Sequence, residues 1–152
     1  MDKMDQPIEI VGAGPSGLVA AITLAHNGYN VVVHEERSDV GHRFHGDFQG
    51  LENWSSEEDI TNLRFGIGMK INFLCQPYME GVLYGPDFRR IPVRSSAPLF
   101  YLVRRGSGQG TLDYGLKAQA VEAGVKFLFG SRKEKLPDRG IIAIGPKAAD
   151  AI

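Results

Sequence analysis

The chain has 152 residues, 43% hydrophobic and 23% charged, with a formal net charge of −1. That suffices for one domain around one buried core, and the near-neutral balance gives no broad electrostatic grip on nucleic acid or an anionic membrane. A single cysteine, Cys75, excludes an intramolecular disulfide and a cysteine-pair zinc or redox motif.

The opening hexapeptide is polar and no signal-peptide core follows it, which points to the cytoplasm. Ile8, Ile10 and Val11 form a first strand. Gly12, Gly14 and Gly17 follow in G-x-G-x-x-G spacing. Pro15 suits a first helical turn, and Leu18, Ala21, Ile22, Leu24 and Ala25 recur at helical intervals up to a stop at Gly28. Val31 to Val33 make the next strand. A short connection of this kind makes the two strands parallel, with a right-handed crossover.

The stretch from Arg37 to Trp54 is glycine-rich and reads as a loop. Ser55 and Glu58 have capping-box spacing, which predicts a short helix from Ser56 to Arg64. "KINFLC", "GVLYG", "RRIPVR" and "LFYLVR" are short, partly alternating runs. With turn residues at Tyr84 to Phe88, they predict an antiparallel β insert over 69–103. Helical periodicity returns at Thr111 and stops at Gly124. Strands are expected at Val125 to Phe129 and Ile141 to Ile144. Every apolar run is too short to span a bilayer.

The opening β-α-β unit has a physical reading. Gly12 allows the tight turn out of the strand, Gly14 lets backbone approach a pyrophosphate, and Gly17 lets the helix pack close to the strand. The free N–H groups of Ala13, Gly14, Ser16 and Gly17, in the turn that also holds Pro15, together with the helix dipole, favour a phosphate. Glu35, at the end of the second strand, is placed to accept hydrogen bonds from a ribose. Glu35 is preferred over its neighbour Glu36 because it continues the strand alternation. Its charge opposes a 2′-phosphate, so the site takes FAD or NAD rather than NADP. The fingerprint alone does not separate those two.

"VVVHEERSDVGHRFHGDFQGLENW" resembles the FAD-binding start of flavoprotein oxidoreductases of the aromatic-ring hydroxylase and geranylgeranyl reductase superfamily. The matching positions are Glu35, Arg37, Gly41 and Arg43, with His42 standing where many relatives have glycine. "YLVRRGSGQGTLDYGLKAQAVEAGV" resembles the segment whose arginine lies near the flavin nucleotide. Arg105 matches it, with Arg104 as fallback, and "GSGQG" is an unusual run for that segment. "IIAIGP" resembles the strand and glycine closing on the nucleotide-binding sheet, with Gly145 as the glycine. Within the superfamily, "FHGDFQGLENW" and "PLFYLVRRG" look most like geranylgeranyl reductase-like proteins.

The resemblance implies an α/β, Rossmann-like FAD/NAD(P)-binding βαβ fold with a small antiparallel insert. FAD is the implied cofactor, with NAD(P)H as reductant. It also implies a later Gly-Asp segment and a substrate-binding portion, and neither is found within the 152 residues. The chain therefore reads as the N-terminal part, or a truncated form, of an FAD-dependent oxidoreductase acting on an isoprenoid or aromatic substrate. Alone it is expected to bind dinucleotide weakly and turn over little, with catalytic residues unassigned. The alternatives are an NAD-dependent dehydrogenase domain and a non-catalytic dinucleotide-binding remnant. A partner chain, or self-association through exposed strands, would then complete the site.

Other residues have plainer readings. His34, His42, His45 and Asp47 match no standard zinc spacing, so a polar loop is expected and no metal. Cys75 reads as a buried structural thiol. Arg89, Arg90 and Arg94 read as solvated strand-edge charge rather than an anion site. Phe44, Phe48 and Trp54 fit either a pocket wall or the core.

Overall fold

The computed structural model describes residues 6–55, 57–62, 68–133, 135 and 139–146. Two strands with a helix between them open the chain: β1 (Ile8–Val11), α1 (Pro15–His26) and β2 (Val31–Glu35). β1 and β2 pair in parallel, Ile8 against Val31 through Val11 against His34. The helix begins at Pro15 and ends where Gly28 takes φ +82°, a conformation that costs glycine little.

Two strands from the end of the chain complete this sheet. β8 (Lys126–Phe129) pairs parallel with β2, and β9 (Gly140–Ile142) pairs parallel with β1. The spatial order is β8-β2-β1-β9. Counted along the chain among the parallel strands, this is the 3-2-1-4 order of a Rossmann sheet, which reverses direction between β1 and β9.

Between the halves lie β3 (His45–Glu52), β4 (Cys75–Tyr78), β5 (Glu80–Tyr84), β6 (Arg90–Arg94) and β7 (Phe100–Gly106), all antiparallel. β3, β7 and β4 form one sheet and β5 with β6 another. The helix α2 (Leu112–Glu122) packs against both α1 and β7. One core therefore joins the parallel and antiparallel parts: Ile10, Leu18 and Ile22 meet Val33, Val103, Leu116 and Ala120 in it.

Three expectations from the sequence change. The loop over Arg37 to Trp54 contains a strand, β3, paired to β7 with a bulge between His45 and Phe48. Its partner lies some fifty residues away, and its own residues are largely exposed, so local periodicity carries little sign of it. The run "KINFLC" is strand only from Cys75 onward. Gln119 of α2 holds Lys70 by hydrogen bonds to both its N–H and its C=O, and Asn72 donates to the Gly115 carbonyl. Side chains of α2 thus take the place of a β ladder. The helix expected from Ser56 lies partly outside the described residues. Within them, helix begins at Ile60, with Asp59 accepting from the Thr61 N–H at 2.7 Å.

Candidate functional site

The glycine loop leaves β1 at its carboxyl end, at the point where the strand order reverses. This is where open α/β sheets form their ligand crevice. Each glycine meets a different surrounding. Gly12 has φ +103°, and a Cβ there would lie 2.5 Å from the Ala143 carbonyl oxygen. A Cβ on Gly17 would lie 2.0 Å from the Gly12 oxygen. Both are packing requirements of turn and helix. Gly14 differs: its Cβ would meet nothing within 4 Å, so a side chain here would intrude only on what lies outside the protein.

The first turn of α1 carries no acid of its own. Gly14 is its N-cap with no side-chain cap, and Pro15 takes the first position. Ser16 is exposed beside them. Beyond the cap, Leu18 N–H returns to the Gly14 carbonyl at 2.9 Å. The positive end of the helix dipole is thus left for an anion from outside.

Glu35 closes the loop from the second strand. One carboxylate oxygen accepts from the Ala13 N–H at 2.9 Å and the other from the Arg37 N–H at 2.9 Å. Glu36 instead faces the Arg37 guanidinium at 3.5 Å, both half exposed. The chain thus sets Glu35 against the glycine loop and turns Glu36 away from it. Gly145, φ +70°, follows β9 just beyond the Ala143 that packs on Gly12 and Gly17.

The two arginines lie around one ring. Arg43 is exposed, with its guanidinium 4.6 Å from the Phe44 centroid, and that of Arg105 lies 4.2 Å from it. Arg105, which the resemblance assigns to the nucleotide, is committed within the chain. It is buried, donates to both Asp113 oxygens at 2.8 and 2.7 Å, and also donates to Gln49. Asp113, fully buried, accepts from the Gly106 N–H as well. Gly41, φ +60°, is pressed against Gly106 and Asp113, where a Cβ would come within 2.7 Å of the backbone. The Arg105–Asp113 pair thus braces the turn that carries Arg43. In the sequence Asp113 looks like an ordinary first-turn acid.

The histidines have separate surroundings. His34 contacts Ser131 at 3.0 Å and Glu9 at 3.1 Å, while His42 approaches Ser38. Among the described residues no three His, Cys, Asp or Glu side chains gather at a metal-binding spacing. Phe48 and Trp54 are exposed, Cys75 is half buried, and Arg94 pairs with Glu80 at the surface. No described helix is long and apolar enough to cross a membrane.

Residues 10–81 match the family described as NAD(P)-binding Rossmann-like domain. The fold is Rossmann-like. A thiamine thiazole synthase of Methanococcus maripaludis (strain C6) is 38% identical over 136 residues, 90% of this chain and 43% of that protein. The chain spans less than half the length of the curated relatives it matches, 24% of one from Thermotoga maritima. Among solved structures, a geranylgeranyl bacteriochlorophyll reductase-like protein from Thermoplasma acidophilum superposes with TM-score 0.59 at 21% identity, over 82% of this chain and 30% of that one. Aklavinone-11 hydroxylase, solved with FAD and aklavinone, superposes with TM-score 0.53 at 21% identity, over 87% and 26%. Sheet order, glycine loop and this match agree on a Rossmann-like fold of the dinucleotide-binding kind.

Proposed function

We propose that residues 8–43 hold the ADP portion of FAD, and that the chain is the nucleotide-binding part of a flavin-dependent oxidoreductase of the hydroxylase or geranylgeranyl reductase kind. The observation that carries this is the glycine loop at the switch point of the parallel sheet, with Glu35 set against it and no acid in the first turn of α1. Pyrophosphate fits Gly14 and the first turn of α1, and the ribose hydroxyls fit the Glu35 carboxylate. Arg37, paired with Glu36, and Arg43, over the Phe44 ring, are the cations that follow the motif in the chain. FAD, when bound, supplies the hydride and electron chemistry. The residues named here orient its adenosine end, and NAD(P)H serves as reductant of the complete protein.

The matched family's description favours a second reading, in which the same groups hold NAD. Denaturing purified protein and recording the absorbance and mass of what is released separates the two. A flavin supports the first reading, a nicotinamide dinucleotide the second, and no nucleotide in either released or titrated form defeats both. Gly14→Ala supplies the structural control. Its Cβ enters open space, so thermal stability is expected to hold while dinucleotide affinity falls.

A further inference from the structure

The hairpin of β5 and β6 stands apart from the core. Among the described residues its strands form a sheet of their own and pack chiefly on each other. A two-stranded ribbon is marginal in water without a third strand or a packed face. Even so, Leu83 is 62% exposed and Tyr84 63%, with Val82, Phe88 and Ile91 also exposed.

Two hydrogen bonds establish which backbone groups face outward. Ser95 N–H donates to the Met79 carbonyl, and Gly85 N–H to the Arg89 carbonyl. With Glu80 opposite Arg94 through Tyr84 opposite Arg90, antiparallel alternation makes Gly81–Val93 and Leu83–Ile91 the inward-bonded pairs. Glu80, Val82 and Tyr84 therefore turn N–H and C=O away from β6. On β6 the outward positions include Pro92, which has no N–H, so that edge is blunted against further pairing. The β5 edge carries no such block.

We propose that β5 pairs antiparallel with β5 of a second copy of this chain, about a two-fold axis at Val82. Val82 then meets its own copy, Glu80 meets Tyr84, and Gly81 meets Leu83. This register avoids repulsion, since Glu80 faces Tyr84 and no like charges meet, whereas an axis at Glu80 would set two carboxylates together. The strand is also complementary to itself in size. A Cβ on Gly81 would meet nothing within 4 Å, which leaves room for the partner's Leu83. The Glu80–Arg94 ion pair stays within each copy. The product is a four-stranded sheet in which Val93, Gly81, Leu83 and Ile91 of both copies share a face, a closed isologous contact.

Sedimentation velocity of the 152-residue chain beside its Val82→Pro variant tests this. The Val82 N–H faces outward, so proline removes no bond of the hairpin. The expected result is a wild-type dimer and a variant monomer with unchanged circular dichroism. Oxidative cross-linking gives a second readout that needs no proline. In Val82→Cys the two copies meet with Cα atoms about 5.5 Å apart, within disulfide reach. In Tyr84→Cys the new thiol faces Glu80, and the parent chain carries only Cys75. Cross-linking is expected at position 82 alone. A monomeric wild type overturns the proposal and leaves the edge to another polypeptide. A dimer that survives Val82→Pro, or equal cross-linking at 82 and 84, overturns it too. Dinucleotide affinity is expected to be the same in all these variants.

Discussion

The two long helices begin in opposite ways. At α2, Thr111 caps the helix by accepting from Tyr114 N–H, and its hydroxyl lies 2.6 Å from the carbonyl oxygens of Gly106 and Gly108. Asp113 sits in the first turn and is neutralised by the buried Arg105. Every group that could answer the helix dipole is supplied from inside the chain. At α1, a glycine stands at the cap, a proline follows and the first turn holds no acid, while the Glu35 carboxylate reaches the preceding Ala13 N–H from β2. A terminus finished by its own side chains serves stability. One left unfinished, in a loop where Gly12 and Gly17 have no room for a Cβ, is suited to an external anion.

Substitutions at the two termini should therefore fail in different ways. The largest effect on folding is expected from Asp113→Ala, which strands the Arg105 guanidinium in the core. Removing one partner of a buried ion pair costs about 3–5 kcal/mol, read as a lower midpoint in urea unfolding. Equal stability of this variant and wild type would show that Arg105 finds water once Asp113 is gone. Gly17→Ala comes next. Its Cβ cannot share space with the Gly12 oxygen 2.0 Å away, so loop and helix must separate. Overpacking of this kind costs about 1–3 kcal/mol, and dinucleotide binding should be lost with it. Gly14→Ala, three residues earlier, should lose affinity alone. If both glycine variants destabilise equally, the distinction between packing and ligand-facing glycines does not hold.

The same contrast explains what could be read from the sequence. The α1 terminus was legible because its requirements are local: glycines at fixed spacing, a proline, and an acid at the end of the next strand. Strand alternation also favours Glu35 over Glu36 as the residue set against the loop. The α2 terminus was only half legible. Thr111 marked the helix start, but the bond between Asp113 and Arg105 depends on how the Gly106 turn folds back, which spacing does not encode. β3 is illegible in the sequence for a related reason. Its stability comes from pairing with β7, and its glycines at 46 and 50 look like loop residues until that partner is in place. The position of β9 beside β1, which creates the switch point, likewise belongs to the assembled sheet.

A smaller effect distinguishes the caps themselves. Thr111→Ala removes the N-cap acceptor of α2 and should cost about 1 kcal/mol. The α1 terminus has no equivalent side chain to remove. Thermal unfolding of Thr111→Ala at several pH values should show a constant deficit, because a hydroxyl cap does not titrate in this range. A deficit that changes with pH would mean that Thr111 acts through something other than its cap hydrogen bond.

A third helical start, at Ile60, is capped by a carboxylate and so should depend on pH. Asp59 accepts from the Thr61 hydroxyl at 2.5 Å and its N–H at 2.7 Å, and from Asn53 and the Tyr101 hydroxyl. The Thr61 hydroxyl is the main cause holding its carboxyl below the ordinary value of 3.8, against an opposing contribution from burial. Burial in turn raises the Tyr101 hydroxyl above its ordinary range, with the Asp59 carboxylate adding to it. A carboxyl depressed in the folded state stabilises it above the unfolded value, and that stabilisation fades as pH falls through the folded value. Acidification through that folded value, below 3.8, should therefore release the Asp59 bonds to Tyr101 and Asn53, while the Thr111 cap of α2 persists. Asp59→Asn keeps an acceptor but cannot titrate, so it should flatten this acid response. Tyrosine fluorescence followed from pH 6 to pH 2.5 measures it, and an unaltered acid transition in Asp59→Asn would place the titrating group elsewhere.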